Sequence, residues 1–569
     1  MAGAIIPAMN LRASSVLVAL VLASVACGSS ATREGFGEEE ITPTDPKGDG
    51  NGQGSSGFGG DSSAGLTFVP KNTTVVIDLA TNPTTAGKVT FKVMQKAQGG
   101  DKDVTAGAKF TLKDSSLGSI SGATFTSVNA LPQGVLGKST YVTAETSAGS
   151  AMGTLTVVGL RKTGEQRDFF FVVPYKDAPS PTTDTLKFST TIKQADVAIL
   201  MDSTASMSGS ITNLKTALQT TLLAQLQAAI PNVGLAIIDH KDFPISPYGE
   251  GGDFPVKVLQ RITTSLPAAQ NAVKLLNASG GNDLPESQIP AMQHILTGGA
   301  VTWSGGSVPA YTAPTGMWGG VDFRNGAVPV VVLITDIDWH GEGHTPYSFA
   351  TTTMAQLKQT FVSKNARFVN VTSGDESQAN ELSDASSSNV PSGAFGGVAN
   401  CSPSQCCTDV NGAGRAPNGP AGSCRLNFKH SAGNGVSTGI VKAIEAIAVG
   451  STFDVTAKPS NDPKNPKNVD ATKFIKALRA MEEGDAAAGC PKGTAKDTNG
   501  DGIKDTFVAV KVGTPVCFEV IPAENGTVEP DLDPQFFNAF IDVIGVQGNV
   551  QLDRRAVLFL VPPKDAGVK

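Results

Sequence analysis

The run Val197-Ala198-Ile199-Leu200-Met201-Asp202-Ser203-Thr204-Ala205-Ser206-Met207-Ser208-Gly209 decides how the centre of this 569-residue chain is read. Five consecutive apolar residues with no polar alternate fit a strand covered on both faces, as in the middle of a parallel sheet. They stop at a carboxylate followed by two hydroxyls at alternate positions: Asp202, Thr204 and Ser206. Beyond them Ile211, Leu214, Leu218, Leu222 and Leu226 recur at helical spacing, so the oxygen-bearing residues occupy a strand-to-helix loop. Hard oxygen donors turned towards one point suit Mg²⁺, Mn²⁺ or Ca²⁺, with positions left for water or an incoming carboxylate.

The alternation continues outward. Val233 to Ile238 and Ala366 to Val371 read as strands, as does Val330 to Ile334, entered through Pro329. Phe349 to Asn365 and Val436 to Ala448 read as helices. Residues 194–451 therefore form a doubly wound, Rossmann-like α/β domain, whose ligands bind beyond the carboxyl ends of the strands. The Val330 strand runs into Thr335-Asp336-Ile337-Asp338, which brings more carboxylates to that edge. On these residues the domain resembles the von Willebrand factor A (VWA) domain and its metal-ion-dependent adhesion site, Asp-x-Ser-x-Ser, with Thr204 in place of the first Ser. The resemblance implies that Asp202, Thr204 and Ser206 hold the cation and that Asp336 contacts it through water. The family's further Thr ligand corresponds to Asn282 in Gly280-Gly281-Asn282-Asp283-Leu284-Pro285-Glu286, so either Asn282 or Asp283 completes the shell. The function implied is capture of a protein ligand whose carboxylate fills the vacant position, not catalysis.

Other residues decorate the same edge. Asp239-His240-Lys241-Asp242-Phe243-Pro244 through Asp253 is net acidic; it holds a second cation or, more simply, is solvated. His340-Gly341-Glu342-Gly343-His344 lacks the His-Glu-x-x-His spacing of a zinc helix, and its glycines disfavour a helix. Trp303 and Trp318, in the insertion before the Val330 strand, cover an apolar surface or form a ligand platform.

The flanks are of another kind. Residues 66–193 carry short alternating runs, among them Val75 to Ile77, Val89 to Val93, Thr154 to Val158 and Phe169 to Val173, which predict an antiparallel β-sandwich. Thr105 to Leu112, Leu117 to Ile120 and Ala151 to Val158 resemble bacterial Ig-like repeats of surface proteins. Residues 452–569 return to strands at Phe507 to Val512, Val516 to Ile521, Phe540 to Val546 and Ala556 to Val561, after a short helix at Ala471 to Glu483. Within this C-terminal β domain, Asp497, Asn499, Asp501, Ile503 and Asp505 fall at the ligand positions of an EF-hand-like loop with Gly502 at position six. The closing Glu is missing, so Ca²⁺ binding there resembles the Asp-rich turns of thrombospondin-type or dockerin-type repeats.

Residues 1–26 read as an export signal: Arg12 is the one charged side chain, and Ala13 to Ala26 is too short to span a bilayer of about 30 Å. Ala23-Ser24-Val25-Ala26-Cys27-Gly28 resembles a bacterial lipoprotein signal, with Cys27 lipidated and residues 27–65 a flexible, Gly- and Ser-rich tether. Of seven cysteines, six remain. Cys490 and Cys517 bracket the acidic loop and pair locally; Cys401, Cys406, Cys407 and Cys424 form two disulfides among three possible pairings.

The net charge of −7 excludes a generally basic surface and with it nucleic acid as partner. The whole chain thus reads as a multidomain lipoprotein of the cell envelope, on the outer membrane of a Gram-negative bacterium, touching the membrane only through its lipid. Two alternatives remain. One is a structural envelope component whose metal only stabilises the fold; the other is a metal-assisted hydrolase using His340, Glu342 and His344.

Overall fold

A computed structural model describes residues 65–79, 84–133, 135–160, 162–163, 166–341, 343–395 and 407–564. The export signal, nearly all of the tether, Glu342, Cys401 and Cys406 lie outside these residues.

The central sheet has six strands: β1 (Gln194–Asp202), β2 (Asn232–His240), β3 (Lys257–Thr263), β4 (Val328–Thr335), β5 (Arg367–Thr372) and β6 (Asn427–Lys429). Their spatial order is β3-β2-β1-β4-β5-β6. β1 pairs in parallel with β2 on one side and β4 on the other, Val197 lying opposite both Leu235 and Val330, while the edge strand β3 runs antiparallel. Val197 to Met201 and Val330 to Ile334 are fully buried, as their unbroken apolar runs require.

Helices cover both faces, so alternate strand residues enter different cores. Val197, Ile199 and Met201 pack under α1 (Ser208–Thr220), α2 (Leu222–Ala229), α3 (Leu266–Lys274) and α7 (Val436–Gly450). Ala198 and Leu200 pack under α4 (Gln288–Thr297), α5 (Met354–Lys364) and α6 (Ser377–Ala385). The helix expected through Leu226 is two, broken at Thr221, whose ψ of −28° accompanies a φ of −129°. Thr212, Thr216 and Thr220 each donate a hydroxyl to the carbonyl four residues back, a bond that bends a helix.

The flanking modules are β, with departures from expectation: in the N-terminal module, expected to be antiparallel, Thr154–Leu160 pairs in parallel with Asn72–Asp78. Phe169–Val172 pairs in parallel with Phe559 and its neighbours, and Asp184–Phe188 pairs with Val516–Pro522. Both strands lie within residues 66–193, the second of them not read from the sequence, and both join sheets of the C-terminal sandwich. Alternation reveals a strand but not the sheet that it joins. The helix expected at Ala471 to Glu483 is a 3₁₀ turn, Ala471–Phe474, followed by the strand Ile475–Ala480. There Leu478 and Ala480 are buried on the strand's alternate face, and that period prevails.

The N-terminal module keeps its own core of Phe68, Phe91, Val93, Phe125 and Leu155. One apolar cluster, by contrast, runs from the α1/α2/α7 face of the central sheet into the C-terminal sandwich at Phe188, Phe518 and Phe559.

Candidate metal centre

The carboxyl ends of β1, β2 and β4 point at one acidic cluster. Asp202 ends β1 fully buried. Its Oδ1 accepts from the Thr204 amide at 3.0 Å and the Thr204 hydroxyl at 2.7 Å, and its Oδ2 accepts from the Thr335 hydroxyl at 2.7 Å. Asp336 follows Thr335 and accepts from the Ser206 hydroxyl; burial and the Asp202 charge push its carboxyl up. Asp202 and Thr204 are thus hydrogen-bonded to each other, and Asp336, with Ser206 beside it, stands at the end of the neighbouring strand β4.

The loop before α4 closes over this set. Ser279 N donates to Ser203 O and Ala205 N to Gly280 O, while Lys241 Nζ donates to the carbonyls of Ser203 and Ser279. Gly280 and Gly281 both have positive φ, 74° and 79°, which favours glycine. A Cβ on Gly280 would fall 2.0 Å from Asp253 Oδ1; on Gly281 it would lie 3.2 Å from both Glu286 Oε1 and Thr204 Cβ. The double glycine lets the loop reach the cluster.

The next residues diverge from the ligand set assigned to them. The Asn282 side chain donates to Pro247 O at 2.8 Å and is exposed. Asp283 turns to His340, both carboxylate oxygens lying 3.3 Å from Nε2. It is Glu286 that comes beside Thr204. Its side chain is buried, its Oε2 has no hydrogen-bond partner among the described residues, and burial followed by the charges of Asp202, Asp242, Asp283 and Asp253 pushes its carboxyl up to about 11. The sequence contained a clue, an acidic residue four positions before the apolar Pro290 of α4, but its direction depends on the loop.

In the Asp239–Asp253 segment Ser246, Pro247 and residues 250–252 are exposed, but the aspartates are not. Asp239, Asp242 and Asp253 are all buried. Asp239 is pushed to about 6, chiefly by burial, although Ser203 and Lys241 oppose the shift. Asp253 Oδ2 accepts from Gly281 N at 3.0 Å and Glu250 N at 2.8 Å, tying this loop to the glycine loop. Asp242 Oδ1 accepts from Phe243 N and Tyr347 Oη, and its Oδ2 lies 3.1 Å from His340 Nε2. Burial drives Asp242 and Asp283 up. His340 is pushed down by burial, but hydrogen bonding to Asp242 and Thr345 and the nearby charges leave it raised overall.

Among the described residues, Asp242, Asp283 and His340 bring possible ligand atoms within 4.8 Å of one another. His344 is not in this group: it faces Gly341 through a reciprocal pair of backbone bonds, each 3.0 Å. Trp303 packs edge-on to Phe243, and Trp318 stacks on Phe323, so both cover apolar surface.

These residues fit a divalent cation. Several buried carboxylates share one sheet edge, and an orphaned Glu286 oxygen inside it lacks a counter-charge, which in a protein interior requires protons or a metal ion.

The C-terminal acidic loop is different. It joins Ala495–Lys496 to Thr506–Lys511 in an antiparallel pair, stapled nearby by Cys490–Cys517. Asp497 accepts from the amides of Asn499, Gly500 and Gly502, Asp501 accepts from Ile503 N, and Asp505 accepts from the Thr498 hydroxyl. Asp497, Asp501 and Asp505 thus each accept hydrogen bonds from within the loop at the surface. Of the other cysteines, Cys407 pairs with Cys424.

No protein-family model and no curated protein matches the chain. Among solved structures, the crystal structure of the SpRpn10 VWA domain is similar over 34% of this chain and 82% of its own, at 13% identity and a TM-score of 0.22.

Proposed function

We propose that the α/β domain is a metal-dependent binding module of the von Willebrand factor A type. It takes Mg²⁺, or Mn²⁺ or Ca²⁺, on Asp202, Thr204, Ser206 and Asp336, with Glu286 balancing the charge. A protein partner supplies a carboxylate to the open position, and no bond is made or broken in the partner. The observation carrying this reading is the meeting of the hydrogen-bonded Asp202–Thr204 pair with Asp336 and Ser206 at the ends of adjacent strands, near the buried Glu286 carboxyl. Such a set has donors for a hard cation and an unmet need for positive charge.

We also propose export, with the lipid on Cys27 holding the chain to the outer membrane and residues 28–65 as tether. Cys407–Cys424 and Cys490–Cys517 favour an oxidising compartment.

Calorimetric titration of the chelated protein with Mg²⁺, together with an Mg²⁺-dependent pull-down from envelope extracts, tests the binding function. Asp202→Ala is expected to abolish both signals. If Asp202→Ala binds Mg²⁺ and partner as well as wild type, the proposal fails. Mg²⁺ stabilisation with no Mg²⁺-dependent partner would leave the site a structural role.

A further inference from the structure

We infer that Asp242, Asp283 and His340 form a second metal site, separate from the Asp202 set, which takes a borderline transition-metal ion of the zinc class. Its ligands come from three loops, after β2, before α4 and after β4, and none of them is needed by the site proposed above.

The histidine fixes the chemistry. His340 Nδ1 faces the Thr345 carbonyl oxygen. A carbonyl has no proton to give, so Nδ1 carries a proton, and in the neutral ring Nε2 turns its lone pair the other way. Nε2 lies 3.1 Å from Asp242 Oδ2 and 3.3 Å from Asp283 Oδ2. Asp242 Oδ2 is wholly buried and, among the described residues, faces only His340 Nε2. With the ring neutral, three lone-pair-bearing atoms converge on one point, two of them on fully buried side chains, and a positive charge between them, a metal ion or a proton on Nε2, relieves their repulsion. At the ~2.0–2.1 Å bonds of a tetrahedral zinc ion, neighbouring ligand atoms stand about 3.3–3.4 Å apart, close to the separations from Nε2.

The supporting bonds are already made. Tyr347 Oη and Phe243 N both donate to Asp242 Oδ1, which leaves Oδ2 to the ion. Thr345 O orients the imidazole, and Tyr248 and Tyr347 pack against the ring. Such outer partners hold metal-binding carboxylates and histidines in place. An imidazole with two carboxylates favours zinc over Mg²⁺, which prefers oxygen and keeps its waters. The His340 and Asp242 side chains are fully buried, whereas that of Asp283 is 24% exposed, so the ion enters past Asp283 and water fills the fourth position. Bound there, it clips together three loops that bear the Asp202 site. The competing occupant of the same space is a proton that makes His340 an imidazolium between two carboxylates.

The full chain, stripped by chelator, is titrated separately with Zn²⁺ and Co²⁺ in excess Mg²⁺. We expect one tight Zn²⁺ per chain and the intense visible bands of tetrahedral Co²⁺. Tyr347→Phe, which removes an outer partner, weakens Zn²⁺ by ~10–100-fold. His340→Gln and Asp283→Asn weaken it further and abolish the Co²⁺ bands. Asp202→Ala leaves Zn²⁺ binding unchanged, so failure here is distinct from failure of the Mg²⁺ site. Asp283→Asn, partly exposed and equal in shape, carries the test if far-ultraviolet circular dichroism shows His340→Gln unfolded. The proposal is overturned if wild type takes up no Zn²⁺ against Mg²⁺, as the imidazolium predicts. It is overturned equally if His340→Gln and Asp283→Asn both bind Zn²⁺ like wild type.

Discussion

At Glu286, burial and four neighbouring carboxylates all act in one direction. Pushed up to about 11, its carboxyl is protonated at neutral pH in the metal-free protein. Glu286→Gln then exchanges one neutral group for another of the same shape, and stability in chelator changes by about 1 kcal/mol or less. Because Gln cannot ionise to meet the cation, the gain in melting temperature from Mg²⁺ shrinks in the variant; an undiminished gain would remove Glu286 from the site. Asp239 and Glu286 also set a pH dependence. Their folded values, about 6 and about 11, exceed their ordinary 3.8 and 4.5, so the native state holds the extra protons. The stability they confer is complete below pH 3.8, declines as pH rises through 6 for Asp239, and declines on towards 11 for Glu286. A metal ion replaces those protons and reverses the trend. Melting curves in chelator should fall between pH 5 and 9, while the gap opened by Mg²⁺ widens. A constant gap would contradict this linkage.

Single elements show where pattern and structure part. The helix expected from Phe349 begins at Met354, because Phe349 joins the ring cluster of Phe243, Tyr248 and Tyr347 beside His340. The start of α5 is set by a capping box: Thr353 Oγ1 accepts from Gln356 N and Gln356 Oε1 accepts from Thr353 N. Thr353→Ala should cost ~0.5–2 kcal/mol, read as a lower urea midpoint with an unchanged slope. No loss would mean that burial of Leu357 and Phe361 alone fixes this helix. The run Val89 to Val93 is likewise two strands in different sheets, Lys88–Thr90 and Lys92–Gln95, with Phe91 buried between them. An alternating run gives the extended conformation, and the partner sheet is chosen by whatever strands arrive alongside.

Across the whole molecule, the C-terminal sandwich closes on strands supplied from before the α/β domain. Phe169 and Phe171 pair alongside Val557 and Phe559, and Phe188 packs edge-on to Phe518. Ending the chain at residue 451 would strip these strands of their partners and uncover the apolar cluster shared with the α1/α2/α7 face. Such a fragment should aggregate or bind hydrophobic dye. A soluble fragment with a cooperative melt would show that the central domain stands alone.

The sequence by itself determined the α/β domain and the sheet edge at which its proposed ligands stand. An unbroken apolar run is compatible only with a covered strand, and such strands end where Asp202, Thr204, Ser206 and Asp336 stand, so order along the chain carried those residues to one edge. The local pairing of Cys490 with Cys517 was legible for the same reason of proximity. Only the tertiary structure decided the rest. Glu286, Asp242, Asp283 and His340 sit on loops whose direction follows from packing against other loops: Asp253 on the Gly281 amide, Asn282 on Pro247, Tyr347 on Asp242. Burial, which converts these acidic residues from a solvated fringe into a cluster in need of a cation, is a property of the assembled chain and has no period in the sequence.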